Sequence, residues 1–133
     1  MASIPDDFVG SIVDGRYRVR SQLGAGAMGT VFLAEHVDIQ KEVALKVLNA
    51  EFSEREHIRR RFLREAQSTA RMDHPCIVQV TDFGTTDEGA LFMVMERVHG
   101  RPLSELRASE VNFVRAIWLM RRSLDALDHA HRR

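Results

Sequence analysis

Hydrophobic and polar side chains alternate from Tyr17 to Leu23, which is the period of a half-buried β-strand. A glycine cluster at residues 24–29 interrupts the pattern and is interpreted as the turn of a hairpin. Further apolar runs of strand length follow, two of them flanking a second turn at 84–89. In total the pattern predicts five strands, at about residues 17–23, 30–34, 42–48, 77–83 and 91–96.

Two helices are predicted after the third and fifth strands. Ser53, with Glu56 three positions later, fits a capping box and predicts a helix that runs to about Met72. Glu65 falls on the apolar arc of this helix, where an unpaired carboxylate would cost on the order of several kcal/mol. A last helix from about Val111 carries an apolar stripe, formed by Phe113, Ile117, Met120, Leu124 and Leu127.

Residues 1–14 show no sustained period, and the sequence predicts a flexible leader that becomes ordered near Gly15. The leader has no basic segment followed by an apolar stretch, and no apolar run in the chain is long enough to span a bilayer. We therefore expect a cytoplasmic protein with no membrane segment in this chain.

Charge and cysteine content argue against several kinds of partner and site. The 19 Lys and Arg residues balance 19 Asp and Glu residues, so no long-range attraction favours nucleic acid or an anionic membrane. The arginines of the first predicted helix are accompanied by Glu51, Glu54 and Glu56 and lack interleaved aromatics, which indicates a solvated face. One cysteine, Cys76, and six scattered histidines predict no disulfide and no metal site.

The glycine cluster, residues 24–31, has the pattern G-x-G-x-x-G-x-V. Missing side chains in such a loop let backbone N–H groups approach phosphate oxygens closely, although a plain glycine-rich hairpin has the same composition. A dinucleotide-binding fold requires a helix directly after the glycines, and a Walker loop requires Lys then Ser or Thr. Here Thr30 and Val31 begin a strand, so the context excludes both.

Ala44 and Lys46 lie on one face of the third predicted strand, because side chains alternate across a strand. The small Ala44 leaves room for a flat ring, and Lys46 is placed to reach phosphates and to answer the charge of Glu65. The alternative is a lysine that covers apolar surface at a strand edge, which would leave Glu65 without a partner.

Together these motifs resemble the small, ATP-binding lobe of bacterial-type Ser/Thr protein kinases, which are eukaryotic-like in sequence. The resemblance covers about residues 15–133 and implies an α+β fold, with a five-stranded antiparallel sheet and a helix C. It implies a small lobe and hinge at 15–98, followed by the start of a truncated large lobe, with helices D and E, at 99–133.

The same resemblance implies a set of site residues. Lys46 would pair with the α- and β-phosphates of ATP, and Glu65 would be its partner on helix C. Met95 would be the gatekeeper, with the backbone of Glu96 and Val98 hydrogen-bonding adenine. The ATP-binding set is Leu23, Gly24, Gly26, Gly29, Val31, Ala44, Lys46, Met95, Glu96 and Val98.

Three motifs of the family are expected beyond Arg133: the His-Arg-Asp catalytic loop, the metal-binding Asp-Phe-Gly and Ala-Pro-Glu. Mg²⁺ is therefore expected for a complete kinase, but no residue of this chain is assigned to it. The tripeptide at 82–84 also spells Asp-Phe-Gly but precedes the hinge strand, so packing by Phe83 and a turn at Gly84 are expected. Cys76 stands where Asn is common in the family and is expected to be a packed, unreactive core residue.

The function implied is the ATP-binding portion of a Ser/Thr protein kinase, inactive as an isolated fragment. Its expected partners are a protein substrate and the missing large lobe, with self-association through the apolar stripe of the last helix when that lobe is absent. The alternative is a non-catalytic kinase-like module that binds a nucleotide or a partner. Intact Lys46, Glu65 and loop glycines favour the enzyme, because a scaffold needs none of them.

Overall fold

The computed structural model describes residues 8–132. Its strands are β1 Ile12–Val13, β2 Tyr17–Ala25, β3 Gly29–His36, β4 Lys41–Leu48, β5 Val80–Thr85 and β6 Leu91–Glu96. Its helices are α1 Ala50–Ser53, α2 Glu56–Ala70 and α3 Phe113–His131, with short 3₁₀ turns at Leu103–Glu105 and Ala108–Glu110.

The six strands form one antiparallel sheet in the order β1-β2-β3-β4-β6-β5. One side, here called the outer face, buries the main core and includes Leu45, Val47 and Phe92. The opposite side, the inner face, carries Leu48 and Met93 and packs against α2. The sheet is therefore covered on both faces, which explains why β4 is apolar from Val43 to Leu48 except at Lys46.

The predicted count of five strands is wrong by one, because β1 lies within the predicted leader. Val13 is only 4% exposed, and the Phe8 ring packs 5.0 Å from the Phe32 ring on the outer face. The Gly10 N–H donates to the Val19 carbonyl at 2.8 Å. A two-residue strand is too short to show a period, so the alternation did not indicate it; residues 1–7 of the leader lie outside the described range.

The predicted capping box at Ser53 is also wrong. Helix α2 begins at Glu56, after Arg55 in the N-cap position and without a side-chain cap. The Ser53 side chain is buried, where its hydroxyl accepts from the Leu91 N–H at 3.0 Å and donates to the Asn49 carbonyl at 3.3 Å. Ser53 therefore ties α1 to β6, and a buried backbone donor takes the oxygen that a cap would have used.

The sheet is curled so that β2 and β5 approach each other across the outer face. Tyr17 donates its phenol proton to Asp82 Oδ2 at 2.8 Å, and Arg16 Nη2 contacts the same oxygen at 2.8 Å. Arg16 also pairs with Asp14. Burial, followed by the hydrogen bond to Asp82, raises the pKa of Tyr17 to about 12.

The Asp-Phe-Gly tripeptide at 82–84 is therefore part of strand β5, and neither role expected for its last two residues is found. Phe83 is 45% exposed and does not pack in either core. Gly84 lies inside the strand, opposite Phe92, and a Cβ there would lie 2.8 Å from Phe92 Cζ. Gly84 makes room for a buried ring on the neighbouring strand, and this close approach explains the glycine without a turn.

Two further features lie after α2. Cys76 is exposed, contrary to the expected core position, because it belongs to the irregular segment that leads into β5. The His74 ring of the same segment lies 5.3 Å from the His129 ring on α3.

Helix α3 presents its predicted apolar stripe to solvent, with exposures of 78% at Phe113 and 65% at Met120. Among residues 8–132, no helix combines the length and apolarity needed to cross a membrane.

Candidate functional site

The inner face of the sheet gathers most of the predicted ATP-binding residues. Val31 lies opposite Lys46, and Lys46 lies opposite Met93. Ala44 lies opposite Met95 in the next pair along. Residues directly opposite each other in an antiparallel pair project to the same side, so Val31, Ala44, Lys46 and Met95 share one surface. The alternation predicted for β4 places them there, while Leu45 and Val47 enter the outer core.

Leu23 lies at the edge of this surface. The register between β2 and β3 shifts between Gln22 and Gly24, so Leu23 is the extra residue of an irregularity in the ladder. Its side chain is 43% exposed. A bulge of this kind redirects a side chain relative to its neighbours, and it leaves Leu23 beside the glycine loop without a partner in the described cores.

The three loop glycines differ in what surrounds them. A Cβ at Gly24 would meet no atom within 4 Å, and a Cβ at Gly26 would meet only the Gly29 carbonyl oxygen at 3.9 Å. A Cβ at Gly29 would overlap the Val47 carbonyl oxygen and lie 3.1 Å from Leu48 Cα. None of the three has a positive φ. Packing therefore explains Gly29, whereas nothing in the fold requires Gly24 or Gly26 to lack a side chain.

The loop itself is short and ordered by its own backbone. Gly26 N–H donates to the Gly29 carbonyl at 2.9 Å and closes the turn at residues 26–28. The Met28 carbonyl accepts from Asn49 N–H at 2.9 Å, which ties the loop to the end of β4. Sequence analysis did not assign Met28 to the site, although Met28 directly precedes the third loop glycine and its side chain lines the cavity described next.

Lys46 and Glu65 line one small cavity of about 60 Å³ between β4 and α2. Met28 and Arg61 contribute to the same cavity. Within residues 8–132, Lys46 and Glu65 form no ion pair, because the Lys46 nitrogen does not lie within 4.0 Å of a Glu65 carboxylate oxygen. The structure thus places the two side chains on the same side of the lobe without joining them, and their ion pair stays a prediction.

The expected burial of Glu65 is wrong. The buried stripe of α2 is narrow and consists of Ile58, Phe62 and Ala66, which are four residues apart. Glu65 flanks this stripe and is exposed. Because water solvates its carboxylate, the desolvation cost that seemed to demand a cation does not arise in this conformation.

The hinge residues continue from β6. Met95 is half-buried, whereas Glu96 is exposed and Val98 is 60% exposed. The Glu96 N–H donates to the Gln79 carbonyl at 3.0 Å, and Glu96 Oε1 accepts from the Gln79 N–H at 2.8 Å. These two bonds fix the end of β6 against the segment before β5. Across residues 8–132, no group of three or more His, Cys, Asp or Glu side chains has an arrangement that could hold a metal ion.

The family comparison agrees with this arrangement of sheet, glycine loop, lysine and helix. The protein kinase domain family matches residues 17–133, which is most of the chain. The chain therefore belongs to the protein kinase domain family. This confirms the protein-kinase fold inferred from the sequence, with six strands in place of five.

Individual relatives narrow the class. Serine/threonine-protein kinase pkn3 of Myxococcus xanthus is 38% identical over 128 residues, which are 95% of this chain and 23% of that protein. Serine/threonine-protein kinase PknJ of Mycobacterium tuberculosis is 44% identical over 123 residues, 92% of this chain and 20% of that protein. The resemblance to bacterial-type Ser/Thr kinases is confirmed, and the chain spans about a fifth of the length of these relatives.

A solved structure shows the same likeness in three dimensions. The PknI kinase domain of Mycobacterium tuberculosis superposes with a TM-score of 0.77 at 34% sequence identity. The match covers 93% of this chain and 51% of that chain. The described fold thus corresponds to about half of a solved kinase domain.

Proposed function

We propose that this chain is the ATP-binding portion of a Ser/Thr protein kinase, which transfers the γ-phosphoryl group of ATP to protein hydroxyls. The observation that carries the proposal is the shared inner face of Val31, Ala44 and Lys46, bordered by the glycine loop. Glu65 lines the same cavity as Lys46, so a single surface holds the apolar, basic and acidic groups that the function needs.

The glycine loop fits a phosphate-bearing ligand on its own geometry. Gly24 and Gly26 have open space where a side chain would stand, and neither has a φ that excludes one. The backbone at these two positions can therefore be approached closely by phosphate oxygens, although the Gly26 N–H is donated to the Gly29 carbonyl in this conformation. Bound ATP supplies the transferred phosphoryl group, and the chain's contribution is to hold and orient the nucleotide.

The inner-face side chains divide the binding task. Val31, Ala44 and Met95 provide an apolar surface for a flat base, with Ala44 small enough to admit it. Lys46 is half-buried and supplies a positive charge that Coulomb attraction draws to phosphate. Glu65 holds the Lys46 ammonium in place when α2 moves closer to β4, which is the conformation in which the predicted ion pair forms.

Catalysis needs more than these residues. We expect residues 1–133 by themselves to transfer no phosphate, because no residue of the chain matches the catalytic loop of the family or lies in the position of its metal-binding motif. The Asp82 carboxylate does not substitute for the missing Mg²⁺ ligand. It lies opposite Val94 on the outer face, away from Lys46, and its carboxylate is engaged by Tyr17 and Arg16.

Nucleotide binding to the full chain tests the proposal, and the two lysines of the sequence provide a matched pair. Lys41 and Lys46 lie on the same strand, but Lys41 is the first residue of that strand and is exposed. We expect Lys46→Met to weaken binding of Mg-ATP in isothermal titration calorimetry at least about tenfold, the effect of roughly 1.4 kcal/mol. Lys41→Met should bind like the unmodified chain.

A labelling experiment gives a second readout. A lysine-reactive acyl-phosphate derivative of ATP should modify Lys46 in preference to Lys41, and excess ATP should suppress the modification. Equal labelling of both lysines, or equal affinity of both variants, would show that the nucleotide does not bind at the inner face. Phosphate transfer by the unmodified chain would contradict the placement of the catalytic groups.

A non-catalytic module is the second candidate, and the exposed apolar stripe of α3 favours it. Such a surface is suited to contact with another protein. The same titration separates the two functions, because a module that binds only a partner would show no ATP binding even in the unmodified chain. Its binding to the partner would be unchanged in Lys46→Met.

A further inference from the structure

Asp82 joins two strands that are distant in the sheet order. Between β2 and β5 lie β3, β4 and β6, which in a flat sheet corresponds to a separation of roughly 19 Å at about 4.8 Å per strand. Yet Tyr17 Oη and Arg16 Nη2 each lie 2.8 Å from Asp82 Oδ2. The contact therefore closes the curled sheet across its outer face, and it depends on the position of β5.

The link is held in place at both ends. The register of β5 shifts between Val80 and Asp82, and Asp82 Oδ1 accepts the Phe83 N–H at 2.9 Å, which orients the carboxylate. Tyr17 is 5% exposed, with the rings of His36 and Phe92 against it at 5.3 and 6.5 Å. A phenol fixed in this way loses little conformational freedom when it donates to Asp82.

Strand β5 also supports α2 from the opposite side. Val80 shares the inner core with Ile58, Phe62 and Ala66 of α2. Gln79 Nε2 donates to the Ala70 carbonyl at 3.2 Å, which connects the start of β5 to the end of the helix. In the sheet, β5 pairs only with β6. An outward displacement of β5 would therefore withdraw part of the surface on which α2 packs.

We propose that Asp82 is a positioning residue for the nucleotide site: it holds β5 towards β2 on the outer face and thereby sets the distance of α2 from β4. Because α2 carries Glu65 and β4 carries Lys46, this distance determines whether the two side chains can meet in their shared cavity. The inference rests on the proposed function for its consequence in nucleotide binding, although its structural half can be tested without nucleotide.

Two variants weaken the link with little change in volume, and Tyr17→Phe leaves the Arg16–Asp82 ion pair in place. Tyr17→Phe deletes the donor, and Asp82→Asn removes the charge but keeps an oxygen for the Phe83 N–H. Arg20→Ala is the matched control. It removes the ion pair that Arg20 of β2 forms with Glu35 at 2.8 Å, and this pair does not involve β5. Each variant of the full chain is compared under conditions where circular dichroism shows it to be folded.

The primary readout is amide hydrogen exchange of residues 58–66 measured by mass spectrometry. Tyr17→Phe and Asp82→Asn should each accelerate exchange of this segment roughly three- to tenfold, the range that corresponds to losing one hydrogen bond of typical net strength. The double variant should accelerate exchange by less than the product of the two single factors, because both changes act on the same link. Arg20→Ala should leave the segment unchanged.

The second readout is the affinity for Mg-ATP, which should fall by a similar factor in both link variants. If melting temperatures fall while exchange at 58–66 stays at the level of the unmodified chain, Asp82 only stabilises the sheet and the inference is overturned. Additive effects in the double variant would overturn it as well. If the unmodified chain binds no ATP, the proposed function fails, and the exchange data still decide whether Asp82 positions α2.

Discussion

Replacing Gly29 by alanine tests whether this loop glycine is required for packing, in contrast to Gly24 and Gly26. The added methyl group would overlap the Val47 carbonyl oxygen and lie 3.1 Å from Leu48 Cα. Both atoms belong to the backbone of β4, which is fixed by hydrogen bonds to β3 and β6. The backbone cannot withdraw without loss of those bonds, so we expect Gly29→Ala to destabilise the fold.

The size of the effect follows from other cases of overpacking. Forcing one extra carbon into a filled site costs about 1–3 kcal/mol, and a rigid backbone neighbour favours the middle or upper part of that range. For a chain of 133 residues, a loss of about 2 kcal/mol lowers Tm by roughly 6 to 12 °C. Urea unfolding followed by circular dichroism measures the free energy, and differential scanning fluorimetry measures Tm.

Gly24→Ala and Gly26→Ala are the controls, because each methyl group would enter open space. Their free energies of unfolding should stay within about 0.5 kcal/mol of the unmodified chain, while Mg-ATP affinity falls because the methyl groups narrow the approach of phosphate to the backbone. A Gly29→Ala chain as stable as the unmodified one, with Gly24→Ala unfolding earlier, would refute this assignment.

Three further outcomes are expected. Because the folded state raises the pKa of Tyr17 from the ordinary value near 10 to about 12, the contribution of Tyr17 to the free energy of unfolding should be constant below about pH 10 and be lost as the pH rises from there through 12. Tyr17→Phe should flatten that decline in urea titrations. Gly84→Ala should cost about 1–3 kcal/mol, since its methyl would lie 2.8 Å from Phe92 Cζ, whereas Thr85→Ala at an exposed neighbour should cost far less in the same assay. Size-exclusion chromatography with light scattering should show self-association of the full chain that diminishes in a version cut after Pro102; a monodisperse full-length monomer, no less soluble than the cut version, would contradict this.

The parts of the fold that the sequence predicted are those where burial imposes a period. Alternation along β4 placed Ala44 and Lys46 on one side, and the register with β3 and β6 has that arrangement. The apolar run of 91–96 gave β6 with the same bounds as the structure. The stripe of α3 was also evident, because a helix of 19 residues repeats its pattern several times.

The features that sequence reasoning missed depend on long-range contacts. A two-residue strand such as β1 has no period, and only its pairing with β2 defines it. Ser53 has the sequence context of a cap, but the nearby Leu91 N–H competes for its oxygen. Glu65 was assigned to the buried arc because a helical wheel shows angles without showing how far the covering sheet extends.

The sequence predicted which residues belong to the candidate site, but it predicted much less of how they are arranged. No local pattern distinguishes Gly29 from Gly24, since only the backbone of β4 makes the third glycine a packing requirement. The contact between Asp82 and Tyr17 was equally hidden, because the two residues lie 65 positions apart in the chain. Such contacts between distant segments cannot be obtained from spacing alone.

The two edges of the sheet bear on the kind of aggregate that this chain would form. Unpaired edge strands are where β-proteins stack into fibrils, and short or irregular edges resist it. Here one edge is the two-residue β1, and the other is β5, which carries a register shift at Val80–Asp82 and an internal glycine, Gly84. Neither offers a long, flat template. Assemblies formed by this chain should therefore retain helix, associate through α3, and fail to bind amyloid dyes such as thioflavin T.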